Sequence, residues 1–191
     1  WNVLKPHLFD GGLLGSAALQ PPGQVLELGC GHASLVPGLA EAGFFAIAAD
    51  FSPTAIRMAS LSSRAGPMEF ATLDVRTLPF RSGTFDAVID KGCFDALKPE
   101  DSSKMLMEAC RLLVASGLFL CVSNNETLVR SRARKMPGWY QALGTPARIP
   151  DVDDEIFLHC YVRIKEDASP EDLRQMFHEV VIFIAWARKA S

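Results

Sequence analysis

Four short groups in this chain set carboxylates beside small residues in a way that could hold a polar ligand: Glu27-Leu28-Gly29-Cys30-Gly31, Asp50-Phe51, Asp74-Val75 and Asp90-Lys91-Gly92-Cys93. Each follows an apolar run of strand length. Without a Cβ, Gly29 and Gly31 allow a ligand close to the backbone, although a tight strand-to-helix turn would use the same residues. Asp50 stands about 20 residues beyond the loop, the offset at which an acidic side chain takes a ribose hydroxyl in nucleotide-binding folds. A ligand carrying adenosine is therefore expected; the competing role for Asp50 is to cap the helix behind Ser52. Asp74 could accept the adenine amino group while Val75 covers the ring, or could be a surface turn residue.

Charge decides between a dinucleotide and a sulfonium cofactor. A dinucleotide loop offers a helix N-terminus to a pyrophosphate, and its usual third glycine would fall where Ser34 stands. Glu27 would be unfavourable beside that anion but favourable beside the ammonium and sulfonium of S-adenosyl-L-methionine. The expected cofactor is S-adenosyl-L-methionine, giving S-adenosyl-L-homocysteine, held by Glu27, Gly29, Cys30, Gly31, Asp50, Phe51, Asp74, Val75 and Asp90. The acceptor would enter beside Asp90, which could orient the nucleophile or take its proton, with Lys91, Gly92 and Cys93 on the substrate side. A Lys91–Asp95 pair on the following helix would account for those two charges without a substrate.

The elements that must position these groups alternate between strand-like and helix-like patterns, an order that implies a parallel sheet with helices on both faces. Strands are expected at Gln24–Leu28, Phe45–Asp50, Glu69–Leu73, Phe85–Asp90 and Gly117–Ser123, and helices at Ser34–Ala42, Ser52–Arg64 and Ser102–Ala115. Ser52 with Pro53 forms a helix start, and Asp101 or Ser102 is the expected cap of the third helix. Arg130–Asp154 lacks periodicity, and the apolar runs Phe157–Ile164 and Glu179–Ala187 supply the last two strands, the latter after a short helix at Pro170–Phe177. The expected fold is a single α/β, Rossmann-like domain over residues 1–191.

Composition narrows the partners. With 22 acidic and 19 basic residues the formal charge is -3, so the basic footprint of a nucleic-acid binder is missing. Five cysteines without a CxxC pair resemble neither a disulfide framework nor a zinc site, and a reducing, cytoplasmic setting is expected. No apolar run approaches the roughly 20 residues of a membrane helix. The chain opens on Trp1 with neither an initiator methionine nor a signal-peptide pattern, which raises the expectation of residues upstream.

Two stretches resemble the methyltransferase-like enzymes that methylate lysines on translation elongation factor 1-alpha and related proteins. VLELGCGHASLVPGLAEAGF with ADFSPTAI is similar to that family's cofactor loop and second strand, a pattern shared by many class I methyltransferases. FDAVIDKGCFDAL is similar to its narrower DKGTLDAL-type segment, with Cys93 and Phe94 where Thr and Leu are common. With MEFATLDVRTLPF between them, the resemblance covers Val25 to Leu97, then the fifth strand and, weakly, the last. It implies a seven-stranded class I fold, a protein lysine or N-terminal amine as acceptor, an elongation factor as a protein substrate, and no metal. It also implies a cofactor loop at Glu27, Gly29 and Gly31, a ribose carboxylate at Asp50, an adenine pocket at Asp74 and Val75, and an acceptor segment at Asp90, Lys91 and Gly92. Of that family's aromatic segment before the first strand, only Trp1 remains.

Cofactor residues do not read the acceptor, so a small-molecule methyltransferase with Cys93, Phe94 and Phe119 lining a compact pocket is the rival reading, and a non-catalytic adenosine-binding or partner-binding module is a second. The segment from Arg130 to Glu155 gathers Arg130, Arg132, Arg134 and Lys135 against Asp151, Asp153, Asp154 and Glu155. Solvated loop faces account for these charges; the functional expectation is that the acids draw a lysine-bearing surface toward the site.

Overall fold

The computed structural model describes residues 5–8, 19–32, 35–61, 63, 66–141, 146–149 and 155–164. Its sheet grows from apolar runs that are buried on both faces, the condition for parallel strands covered by helices. Strand β1 (Gln24–Leu28) is buried from Val25 onward, and β2 (Phe45–Asp50) and β3 (Met68–Thr72) pair parallel on one side of it. On the other side β4 (Phe85–Lys91) and β5 (Leu113–Ser123) continue in parallel. Strands β1 and β2 have the bounds expected from the sequence. Strand β5 begins four residues before the expected Gly117, because a register shift between Phe85 and Ala87 lets Leu113 pair first.

The strand order is β3-β2-β1-β4-β5-β8-β6, seven strands in a mixed, mostly parallel sheet, with the two-residue β7 (Ala147–Arg148) pairing on β8. Strand β6 (Trp139–Gln141) lies inside the segment expected to be irregular. Strand β8 (Phe157–Arg163) runs antiparallel between β5 and β6. The run Glu179–Ala187 and the helix at Pro170–Phe177 lie outside the described residues.

Helices α2 (Val36–Glu41) and α3 (Pro53–Leu61) cover one face of the sheet, where Val36, Leu39, Ala59 and Ile56 join Val25, Ala46 and Ala48. Helix α3 starts as its sequence implies, with Ser52 Oγ accepting the Ala55 N–H at 3.3 Å. The other face is covered by α5 (Pro99–Leu112), whose Met105, Leu106, Ala109 and Leu112 recur at helical spacing and meet Val88 and Phe119. Helix α5 starts three residues before the expected Ser102. Lys98 is its cap and Pro99 its first residue, where a fixed φ and a missing N–H cost nothing. Three further short helices lie among the described residues: α1 (Lys5–Leu8), α4 (Cys93–Ala96) and, following β5, α6 (Leu128–Ala133). Among the described residues no helix is long and apolar enough to cross a membrane.

Candidate functional site

The chain winds from β1 to β3 in one direction and from β4 to β5 in the other, so the sheet reverses between β1 and β4. In open α/β sheets, ligands bind beyond the carboxyl ends of the strands at such a reversal. All four predicted groups leave the sheet at this edge, following β1, β2, β3 and β4.

The loop after β1 is tied down on two sides. Glu27 has no solvent exposure, and its Oε2 accepts the Leu35 N–H at 2.9 Å, anchoring the start of α2. Cys30 N–H donates to the Ala49 carbonyl at 3.1 Å, and Gly31 N–H donates to Asp50 Oδ2 at 2.9 Å. The other carboxylate oxygen of Asp50 accepts the Ser52 N–H at 2.8 Å. Asp50 thus joins the two loops that would flank an adenosine, while the ring of Phe51 beside it is 73% exposed. The Cys30 side chain is buried, its thiol donates to the Gly31 carbonyl at 3.4 Å, and burial pushes that thiol up to about 12.

The two loop glycines do different work. Both take positive φ, 61° at Gly29 and 59° at Gly31. A Cβ on Gly29 would lie 2.4 Å from Cys93 Cβ and 2.5 Å from its Sγ, whereas one on Gly31 would meet no atom within 4 Å. Only Gly31 leaves the open cradle expected of both. Gly29 instead lets the loop after β1 touch the turn after β4.

Asp74 follows β3, and the residue before it is tied to Asp50, since Leu73 N–H donates to the Asp50 carbonyl at 2.9 Å. Its carboxylate is already engaged by Arg76, through Nε at 2.9 Å to Oδ1 and Nη2 at 2.6 Å to Oδ2. The hydrogen bonds from Arg76 hold the Asp74 carboxyl below the usual range. Val75 turns inward: it is 6% exposed and packs in the core with Leu26, Leu28 and Ala49.

The acceptor-side segment departs further from expectation. Asp90 has no solvent exposure; Phe94 N–H donates to its Oδ1 at 3.1 Å and the Cys121 thiol to its Oδ2 at 3.0 Å. It lies beneath the turn that it was expected to serve directly. Gly92, with a φ of 85°, makes the turn into α4. Among the described residues the alternative Lys91–Asp95 ion pair is absent; Asp95 instead accepts Ser123 Oγ at 2.6 Å and Asn124 N–H at 3.3 Å, tying α4 to the end of β5. Cys93 is half-buried, and burial pushes its thiol up to about 12. His159 lies in register beside Cys121 as Cys121 does beside Asp90, and burial lowers its imidazole to about 4.

Burial pushes the Asp90 carboxyl up from 3.8 to about 7, against the hydrogen bonds from Cys121 and Phe94. The folded protein then binds this proton more tightly than the unfolded chain, so the associated stability is complete below the unfolded value and is lost as pH rises through 7. Asp90→Asn is expected to gain melting temperature relative to wild type at pH 8 and not at pH 4. A melting difference that stays constant across that range would contradict the buried-acid account.

Sequence reasoning missed Arg76 and Cys121. Arg76 had a local signal, since an Asp two residues before a guanidinium forms an Asx turn that brings them together; Arg76 N–H donates to Asp74 Oδ1 at 2.9 Å. Cys121 had none, being 31 residues from Asp90. Of the acids expected to draw a substrate, Glu155 is exposed and Asp151, Asp153 and Asp154 lie outside the described residues. In the basic group Arg132 stacks 5.3 Å from the Phe94 ring centroid.

Residues 25–117 match the family model described as a methyltransferase domain. The eEF1A lysine and N-terminal methyltransferase of Mus musculus is 27% identical over 178 residues, which are 83% of this chain and 26% of that protein. EEF1A lysine methyltransferase 4 of Mus musculus is 32% identical over 121 residues, 56% of this chain and 48% of that protein. The chain thus spans less than half the length of either relative. A chain in the structure described as the complex between the Haloferax volcanii Trm112 methyltransferase activator and the putative methyltransferase shares the fold, with a TM-score of 0.69 at 17% identity over 79% of this chain and 86% of that one.

Proposed function

We propose that this chain is a class I methyltransferase and that it transfers the methyl group of S-adenosyl-L-methionine to a protein amine, a lysine side chain or an N-terminus; the match of residues 25–117 to a methyltransferase-domain model supports this reading. The observation that carries this reading is the contact between Gly29 and Cys93, which brings the loop suited to the cofactor against the turn suited to the acceptor. The open space at Gly31, the Asp50 carboxylate and the exposed Phe51 ring fit an adenosine. The names of the two mouse relatives, methyltransferases of eEF1A, support a translation elongation factor as the protein acceptor.

The cofactor supplies a carbon already activated by its sulfonium, so the protein chiefly has to align the reactants. Asp50 holds Gly31 and Ser52 in place by their N–H groups, and Glu27 holds Leu35. Asp90 shapes the Lys91–Cys93 turn from below, through Phe94 N–H. The acceptor amine, with a free pKa near ~10.4 for lysine, must be neutral when it attacks; its proton leaves to water at the open edge.

Incubation with methyl-labelled cofactor and cell extract tests the proposal. The expected result is a labelled protein band. An extractable small labelled product would replace the acceptor class with a small molecule, and no transfer by a chain that still binds cofactor would leave an adenosine-binding module.

A further inference from the structure

We infer that Arg76 is a positioning residue for the adenine end of this site, presenting the Asp74 carboxylate as an acceptor that distinguishes a 6-amino from a 6-oxo purine. The inference rests on the cofactor reading proposed above.

The geometry is that of a clamp. Arg76 reaches Asp74 with three groups: its backbone N–H and Nε each donate to Oδ1 at 2.9 Å, and Nη2 donates to Oδ2 at 2.6 Å. Nε also lies 3.1 Å from Oδ2. The far side of the guanidinium is held as well, because Nη1 donates to Asp101 Oδ1 at 3.3 Å. Asp101 belongs to the first turn of α5 and is 3.8 Å from Lys104 Nζ. The loop after β3 is thereby fastened to a helix packed on the sheet, and Asp74 cannot rotate without breaking a two-pronged contact.

An ionised carboxylate offers about four lone-pair sites and no donor. Arg76 occupies both of those on Oδ1 and at least one on Oδ2, which leaves room on Oδ2 for a single further donor. The 6-amino group of adenine can fill it. The 6-oxo group of hypoxanthine cannot, and would set two acceptors against each other, the kind of mismatch that discriminates strongly between otherwise similar ligands. Asp74 retains 34% side-chain exposure, so the remaining site is open to a ligand. The charged groups facing Asp74 are Arg76 and, further off, Lys104, with Asp101 on the far side of the guanidinium. Arg76 therefore also keeps Asp74 ionised at pH values where a free carboxyl would begin to protonate.

The test measures dissociation constants of S-adenosylhomocysteine and S-inosylhomocysteine by calorimetry for the wild-type chain, Arg76→Gln and Arg76→Lys, from pH 4 to 8. The wild type is expected to favour the adenosine ligand by about tenfold or more, the worth of one hydrogen bond to a charged group. Arg76→Gln is expected to bring that ratio toward unity and to move the acid loss of adenosine binding to higher pH. Arg76→Lys, which retains charge without the fork, is expected to restore the acid limb but not the full ratio. A general loss of stability would weaken both ligands alike, so the ratio separates positioning from folding. An unchanged ratio in Arg76→Gln, or tighter binding that would make Arg76 a competitor for Asp74, overturns the inference alone. Failure of the wild type to bind S-adenosylhomocysteine overturns the cofactor reading and this inference with it.

Discussion

Gly29→Ala is expected to lower the melting temperature by roughly 5–15 °C. Two costs combine. An L-residue held at φ 61° loses about 1–2 kcal/mol to the clash of its Cβ with the backbone. Forcing a methyl group to 2.4 Å from Cys93 Cβ adds about 1–3 kcal/mol of overpacking, and in a chain of this size each kcal/mol shifts the midpoint by about 2–4 °C. The steric part has a specific partner. In the background of Cys93→Gly, which removes both clashing atoms, Gly29→Ala should cost only the backbone term, so a double-mutant cycle in thermal melts will show favourable coupling between the two positions. Strict additivity would mean that the loops after β1 and β4 do not touch as described.

Gly31→Phe is expected to abolish cofactor binding while leaving the fold in place. A Cβ here meets no atom within 4 Å, so the side chain leaves the backbone into open space, and the backbone cost is about 1–2 kcal/mol. The wild-type chain, at a cofactor concentration of 100 times the dissociation constant, should gain about 2.7 kcal/mol, a rise of roughly 5–10 °C. Gly31→Phe should show none of that rise, and NAD should produce none in either protein. A full ligand-induced rise in Gly31→Phe would place the cofactor elsewhere, and a rise with NAD alone would reverse the choice of cofactor. Together the two glycines separate a packing requirement from a binding requirement within three residues of sequence.

These expectations show where local pattern was sufficient. Gln24–Leu28 and Phe45–Asp50 form strands with their expected bounds because short, mostly apolar runs of that length, closed by a carboxylate or glycine, favour a buried parallel strand. Gly31 and Asp50, at the offset that suggested a ribose carboxylate, are joined by a hydrogen bond from the Gly31 N–H. Strands β1 to β4 run parallel, so the four carboxylate groups that end or follow them reach the same edge. Trp139–Gln141 escaped notice because three residues are too few to display a period.

What consecutive residues could not decide is which atoms would meet across the edge. The sequence by itself determined the alternating α/β order, the strands at the centre of the sheet and the chemistry that would suit their ends. Only the tertiary structure decided that Gly29 serves Cys93 while Gly31 stays open, that Asp90 lies beneath its turn against Cys121, and that β8 runs antiparallel between β5 and β6. The physical reason is separation along the chain. Secondary structure answers to side-chain period within a few residues, whereas the burial and pairing of a side chain answer to groups tens of residues distant, brought beside it only when the sheet has closed.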